Sequence, residues 1–279
     1  MSQVSDKDVA AIKDWLAQEP YLPKNFDDIM IKKFLFSCHN SLERTKRCVE
    51  EFCTTRANMT EVFTDRDPLS TRMKDSFSNT CVATYLAGVD EILIHQLTSV
   101  DKFDFYDCLK SFMLQADQWL RLERDELPEN HIVILDIKEY TLMLITKCNV
   151  FYFQKFVTFL LEAMPVRLKE VHVVNCPSYY EYMYNLVKGT LPLEIREIIK
   201  FHPDHMGLHK FIDKKYLPLE YDGEAESMTK QTLSWIQEIN ENRKFFLDDN
   251  LWKSELSKKV KNGGVDKTMS GSFRTLAID

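Results

Sequence analysis

Residues 170–191 constrain this chain more than any other stretch: Glu-Val-His-Val-Val-Asn-Cys-Pro-Ser-Tyr-Tyr-Glu-Tyr-Met-Tyr-Asn-Leu-Val-Lys-Gly-Thr-Leu. The first half is an apolar, β-branched run stopped at Pro177, which reads as a buried strand. The period then changes. Tyr179, Tyr180, Met183, Tyr184, Val187 and Leu191 recur at helical spacing and form a wide aromatic face. A strand that passes into so apolar a helix needs something apolar to cover. Periodicity leaves two readings open: a helix packed into the core, and a lid over a hydrophobic cavity.

The surrounding pattern narrows the fold to α/β. Strands are expected at 81–86 and 91–97 with a bend at Gly88, and an amphipathic helix at 104–122. A strongly apolar strand follows at 131–137, a helix at 151–163 and a strand at 171–174. Strand, helix and strand at these lengths predict parallel pairing. Residues 6–66 read as a helical unit: Val9, Ile12, Trp15 and Leu16 form one stripe, Ile31, Phe34 and Leu35 a second. A third helix follows Asn40 or Ser41 as cap. Residues 69–80 read as polar linker, 210–213 as an edge strand and 228–256 as helix. The resulting division is 1–75, 76–225, 226–256 and a Lys- and Gly-rich tail at 257–279.

Composition removes several function classes. A net charge of −7 without a Lys/Arg stripe argues against nucleic-acid binding. Seven glycines, none in a phosphate-cradling cluster, argue against a loop-based nucleotide enzyme. Seven cysteines without a CxxC pair fit a reducing compartment. The N-terminus lacks an apolar leader and no run reaches a membrane-spanning length, so a cytoplasmic protein is expected. His202, His205 and His209 lack carboxylates at ligand spacing beyond Asp204, and no metal site is expected from them.

An ordered series of blocks then carries a resemblance. It comprises Pro20-Tyr-Leu-Pro23, Lys33-Phe-Leu, Asn40-Ser-Leu-Glu-Arg-Thr-Lys46, Asp65-Arg-Asp-Pro68, Ile134-Leu-Asp136, Pro165-Val-Arg-Leu-Lys169, Asn175-Cys-Pro177, Leu208-His-Lys-Phe-Ile212 and Leu217-Pro-Leu-Glu-Tyr221. In this order the chain resembles the CRAL-TRIO (Sec14-like) lipid-binding family, in particular insect members related to tocopherol and retinaldehyde carriers. The resemblance implies an N-terminal helical CRAL-TRIO-N module and a Sec14-like lobe with a mainly parallel sheet and a helical gate at 177–191. It implies no catalysis and no cofactor.

The resemblance also implies a ligand site. On the central strand a period of two puts His131, Val133 and Leu135 on one face, and the family places its pocket there. Matched positions add Met113, Leu114 and Asp117, then Phe156, Phe159 and Leu160, and Val166, Leu168 and Val171. The gate adds Tyr179, Tyr180, Met183, Val187 and Leu191. For His131 two readings stay open: it anchors a polar group of the ligand, with Asp117 orienting it, or it bonds a nearby carbonyl while Asp117 is solvated.

Relatives that exchange phosphoinositides carry a basic cluster near the gate. Arg167 and Lys169 keep two of its positions, and Lys33, Arg196 and Lys200 lie close in sequence. Phe36, Glu194 and Ile198 occupy the others, so phosphoinositide exchange is in doubt. The expected function is binding of a small retinoid- or tocopherol-like lipophile and its transfer between membranes by a monomer that touches membranes transiently. The alternatives are a lipid-sensing module that docks a protein partner, and a phospholipid or phosphoinositide carrier.

Overall fold

The first three N-terminal helices each start where a side chain can take up an orphan N–H. Ser5 accepts from Asp8 N at the head of α1 (Asp6–Gln18), and Asp27 from Met30 N at α2 (Asp28–Ser37). Ser41, one of the two expected caps, accepts from Arg44 N at α3 (Leu42–Asn58). A short α4 (Thr60–Phe63) follows. The computed structural model describes residues 4–259, so the expected tail falls, beyond 259, outside the described residues.

The expected linker at 69–80 is instead a helix, α5 (Thr71–Asn79), capped by Ser70. Only two of its apolar side chains, Met73 and Phe77, are buried, too few for the period to register in sequence. β1 (Thr80–Ala87) and β2 (Asp90–Leu97) pair antiparallel across Gly88, whose φ of 67° suits a tight hairpin. Then come α6 (Phe105–Arg121), β3 (Asn130–Asp136), α7 (Leu142–Thr146), α8 (Val150–Glu162) and β4 (Leu168–Val174). They are followed by α9 (Tyr180–Lys188), α10 (Leu193–Glu197) and β5 (Ile199–Phe201).

The strand order is β1-β2-β3-β4-β5, with every pair after the first parallel. The edge strands are therefore β1 and β5, and residues 210–213 are not one. Those residues close a 3₁₀ segment (His205–Lys210), where Phe211 N and Ile212 N both turn back to Leu208 O. Bonds to a carbonyl three and four residues back are those of a helical turn and not of a strand.

The two faces of the sheet differ. On one, Ile92, Ile94, Ile132, Ile134 and Val174 pack under Leu208, Ile212, Leu217, Tyr221 and Met228. Asp136 secures that side by accepting from Tyr221 Oη (3.0 Å), Asn175 Nδ2 (2.8 Å) and Gln96 Nε2 (3.0 Å). The other face looks toward α6 and α8, whose outer sides merge with the N-terminal helices into one cluster that includes Phe34, Phe52, Phe63, Phe159 and Trp252.

The C-terminal α11 (Met228–Glu241) seals the free edge of β1. Thr232 Oγ1 accepts from Val82 N (3.1 Å) and donates to Val82 O (3.0 Å), and Gln231 Oε1 accepts from Thr84 N (2.5 Å). α12 (Arg243–Phe246) completes the described α-helices.

Candidate ligand cavity and gate

A residue at the centre of a five-stranded sheet keeps accessible surface only where nothing fills the space above it. Ile132 and Ile134 on β3 are buried, whereas Val133 and Leu135, which point to the α6 side, are only half-buried. Leu93 on β2 and Leu168 on β4 are half-buried too, and pairing puts Leu93 beside Val133 and His95 beside Leu135. Above them, Cys108, Phe112, Ala116 and Trp119 on α6 are half-buried at spacings of four, four and three residues, a single helical stripe. Leu160 on α8 and Val166 are half-buried as well.

Several expected pocket residues do not belong to this surface. Met113, Leu114 and Asp117 are fully buried, and a side chain that borders a void retains accessible area. Leu114 packs behind α6 with Met73, Phe77, Ile239 and Phe246. Asp117 pairs with Arg56 through two bonds of 2.8 Å and with Arg66 at 2.6 Å, so it serves neither a ligand nor His131 and is not solvated. Phe159 turns toward Phe52 and Phe63 of the N-terminal module. Phe156 is buried against Phe112. The wall stripe on α6 lies one residue away from the matched positions, at Phe112 and Ala116 rather than Met113 and Asp117. Its own four-residue spacing in the sequence was the available signal.

His131 is a local structural group. Its Nδ1 accepts from Arg167 N (3.2 Å), which puts the ring proton on Nε2. Nε2 is sealed from solvent and faces Glu91 Oε2 at 3.6 Å. Glu91 also accepts from Trp119 Nε1 (2.9 Å) and Arg124 Nη2 (2.5 Å). Burial holds the imidazole below its ordinary pKa, against the pull of Glu91. Nδ1 is thus taken by a backbone N–H and not by the nearby carbonyl of the second reading, and Nε2, which has no hydrogen-bond partner, is closed off from the space above the sheet.

The basic positions are engaged within the protein. Lys33 is buried and donates to Trp119 O (2.6 Å), Leu120 O (3.1 Å) and Leu122 O (2.8 Å), closing the C-terminal end of α6. Arg167 donates to Phe36 O and Ser37 O at the end of α2 and lies over the Phe36 ring. Lys169 pairs with Asp90 (2.6 Å), Lys200 with Glu170 (3.1 Å), and Arg196 donates to Leu191 O (2.8 Å). They form no shared phosphate cradle. The three histidines are also separate: His202 meets His172, His205 meets Asp222, and His209 meets Tyr221 O.

α9 is lightly held. None of its side chains is buried, and its first residue has no side-chain cap. Tyr180 and Tyr184 rest on Phe201 of β5 with ring centroids 4.9 and 5.1 Å apart. Gln154 Nε2 donates to Leu186 O (2.6 Å) and Tyr179 Oη to Tyr140 O (3.0 Å). Met183 and Val187 are half-buried and Leu191 is buried. Val171 is buried on the sheet beneath. Between α7 and α9 lies a groove of about 620 Å³ with Leu142, Ile145, Val150, Tyr179, Tyr182 and Leu186 among its walls. Around it Met143, Phe151 and Tyr182 stand exposed at 72%, 79% and 57%.

A family model described as the CRAL/TRIO domain matches residues 83–223, half of the chain and all of the sheet beyond the first strand's start. The chain belongs to the CRAL/TRIO family. Its N-terminal helices match a second model, described as a Pinta-like UBA domain, over residues 1–73. The CRAL/TRIO chain is 26% identical to the mouse alpha-tocopherol transfer protein-like protein over 238 residues, covering 82% of this chain and 67% of that one. It is 24% identical to human clavesin-2 over 230 residues, covering 78% and 68%. The crystal structure of Sfh5 superposes with a TM-score of 0.54 at 13% identity, covering 82% of this chain and 89% of that one, a likeness of fold. CRAL/TRIO membership implies binding and transfer of a lipophile. Among the described residues no helix is long and apolar enough to cross a membrane.

Proposed function

We propose that this chain holds a small lipophile between the half-buried face of its sheet and helices α6 and α8, and carries it between membranes. One observation carries the reading. Val133 and Leu135 occupy the central strand and yet keep accessible surface, while their neighbours Ile132 and Ile134 are closed off. An apolar space of this kind suits a molecule whose affinity comes from apolar area. A retinoid- or tocopherol-like lipophile fits, since the similar mouse protein is named for alpha-tocopherol transfer.

α9 acts as the gate in this reading. It is attached through two aromatic contacts and two hydrogen bonds, and its own exposed Tyr182 with Met143 and Phe151 beside it supplies the apolar surface that meets a bilayer. The carrier works as a monomer in the cytoplasm, and no step requires catalysis. The test is transfer of a fluorescent lipophile between vesicles. Tyr180→Asp with Met183→Asp abolishes transfer while leaving the fold intact, and transfer that survives these charges rules out α9 as the gate.

A further inference from the structure

One polar side chain on the half-buried face has nothing to bond. His95 lies on β2 next to Leu135, and the antiparallel partner opposite it is Val82. Its ring meets the edge of Phe112 on α6 with centroids 5.7 Å apart, which fixes its direction toward the space between sheet and helix. The residue is 9% exposed. Among the described residues neither ring nitrogen has a hydrogen-bond partner, and neither is sealed off in the way His131 Nε2 is. Buried polar groups are almost always paired, so an imidazole left open toward an apolar space marks a position that something else completes.

We propose that His95 is the polar anchor of the ligand site and that it selects a neutral lipophile ending in a hydroxyl or carbonyl group. The inference rests on the cavity reading above and names the ligand's chemistry within it. A neutral imidazole offers one donor and one acceptor, which matches an alcohol from either side and a carbonyl from one. Burial alone lowers the His95 pKa to about 4, so at neutral pH the ring carries no charge for a carboxylate. Nor is another cation at hand: Lys33, Arg124 and Arg167 are bonded to carbonyls or to Glu91. A fatty acid or phospholipid head would lose its hydration without gaining a counter-ion.

Equilibrium binding of three probes to the full chain tests this: retinol, the hydrocarbon with the same polyene and no hydroxyl, and retinoate. The expected result is retinol about tenfold tighter than either of the others. His95→Leu then removes the difference between retinol and the hydrocarbon, while His95→Gln restores most of it. In the unsubstituted protein the imidazole nitrogen resonances of His95 shift with retinol and not with the hydrocarbon, a readout that needs no variant to fold. Retinol preference that survives in His95→Leu, retinoate as the tightest probe, or silent resonances overturn the anchor. Equal binding of all three probes overturns the anchor and leaves the cavity standing. Failure of every probe to bind overturns the cavity reading, and the anchor with it.

Discussion

Arg56 and Asp117 form a two-armed ion pair, 2.8 Å on each arm, with neither side chain exposed. Arg66 adds a third bond of 2.6 Å, and the Arg56 guanidinium lies over Phe63 at 4.1 Å. The pair binds the N-terminal module to α6. Asp117→Asn leaves two buried cations without a counter-charge, so the expected loss is about 3–5 kcal/mol. Urea unfolding measures it. A stable variant with altered ligand choice would instead put Asp117 in the ligand site.

Phe201 seats both Tyr180 and Tyr184 of α9, the helix proposed as the gate. Each aromatic pair contributes about 0.5–1.5 kcal/mol beyond its buried area. Phe201→Ala is therefore expected to speed release of a loaded fluorescent lipophile to acceptor vesicles roughly tenfold. Unchanged release rates would mean that the gate is held elsewhere.

The engagement of Lys33 and Arg167 with helix ends makes a prediction about membranes. Vesicles with and without phosphoinositide are expected to bind the protein equally in a sedimentation assay. Lys33→Met should lower the free energy of unfolding by about 1.5–3 kcal/mol, since three backbone carbonyls lose their donor, and leave vesicle binding unchanged. A phosphoinositide preference abolished by Lys33→Met would reverse the assignment.

Acid should weaken the unliganded fold. Burial lowers the pKa of His95 to about 4 and also lowers those of His172 and His202, whereas unfolded histidines titrate near 6.5. Below about pH 6.5 the unfolded chain binds protons that the folded chain refuses, so stability falls as pH drops toward 4. His95 alone accounts for about 2 kcal/mol between pH 7 and pH 5. Urea midpoints across that range should fall, and fall less in His95→Leu. Parallel curves for the two proteins would contradict the burial of a neutral imidazole.

The architecture was legible because its signals are local. The change from strand to helix period at Pro177 and the apolar strand expected at 131–137 are both present, as β4 followed by α9 and as β3 (Asn130–Asp136). α5 was hidden because its stability comes from Ser70 and from two apolar contacts rather than from a stripe. The site was harder to read for a different reason. Pocket membership depends on the rotation of α6 to within one residue, which separates Phe112 from Met113. His131 and His95 are both histidines on the same face of neighbouring strands, and only the hydrogen-bond partners distinguish them. Spacing carries no information about which ring finds a backbone N–H.

The two borders of the sheet have opposite characters. At β1, Thr232 and Gln231 supply hydrogen bonds that a sixth strand would make, so this border is closed to pairing with another chain. At the far border, β5 is three residues long and carries Phe201 beneath α9. Mechanical compliance is thereby concentrated on one side of the molecule. If α9 is the gate, a bilayer that pulls on it works against the shortest strand, with the hydrogen-bonded β1 side as a fixed frame, without straining the strands that surround His95.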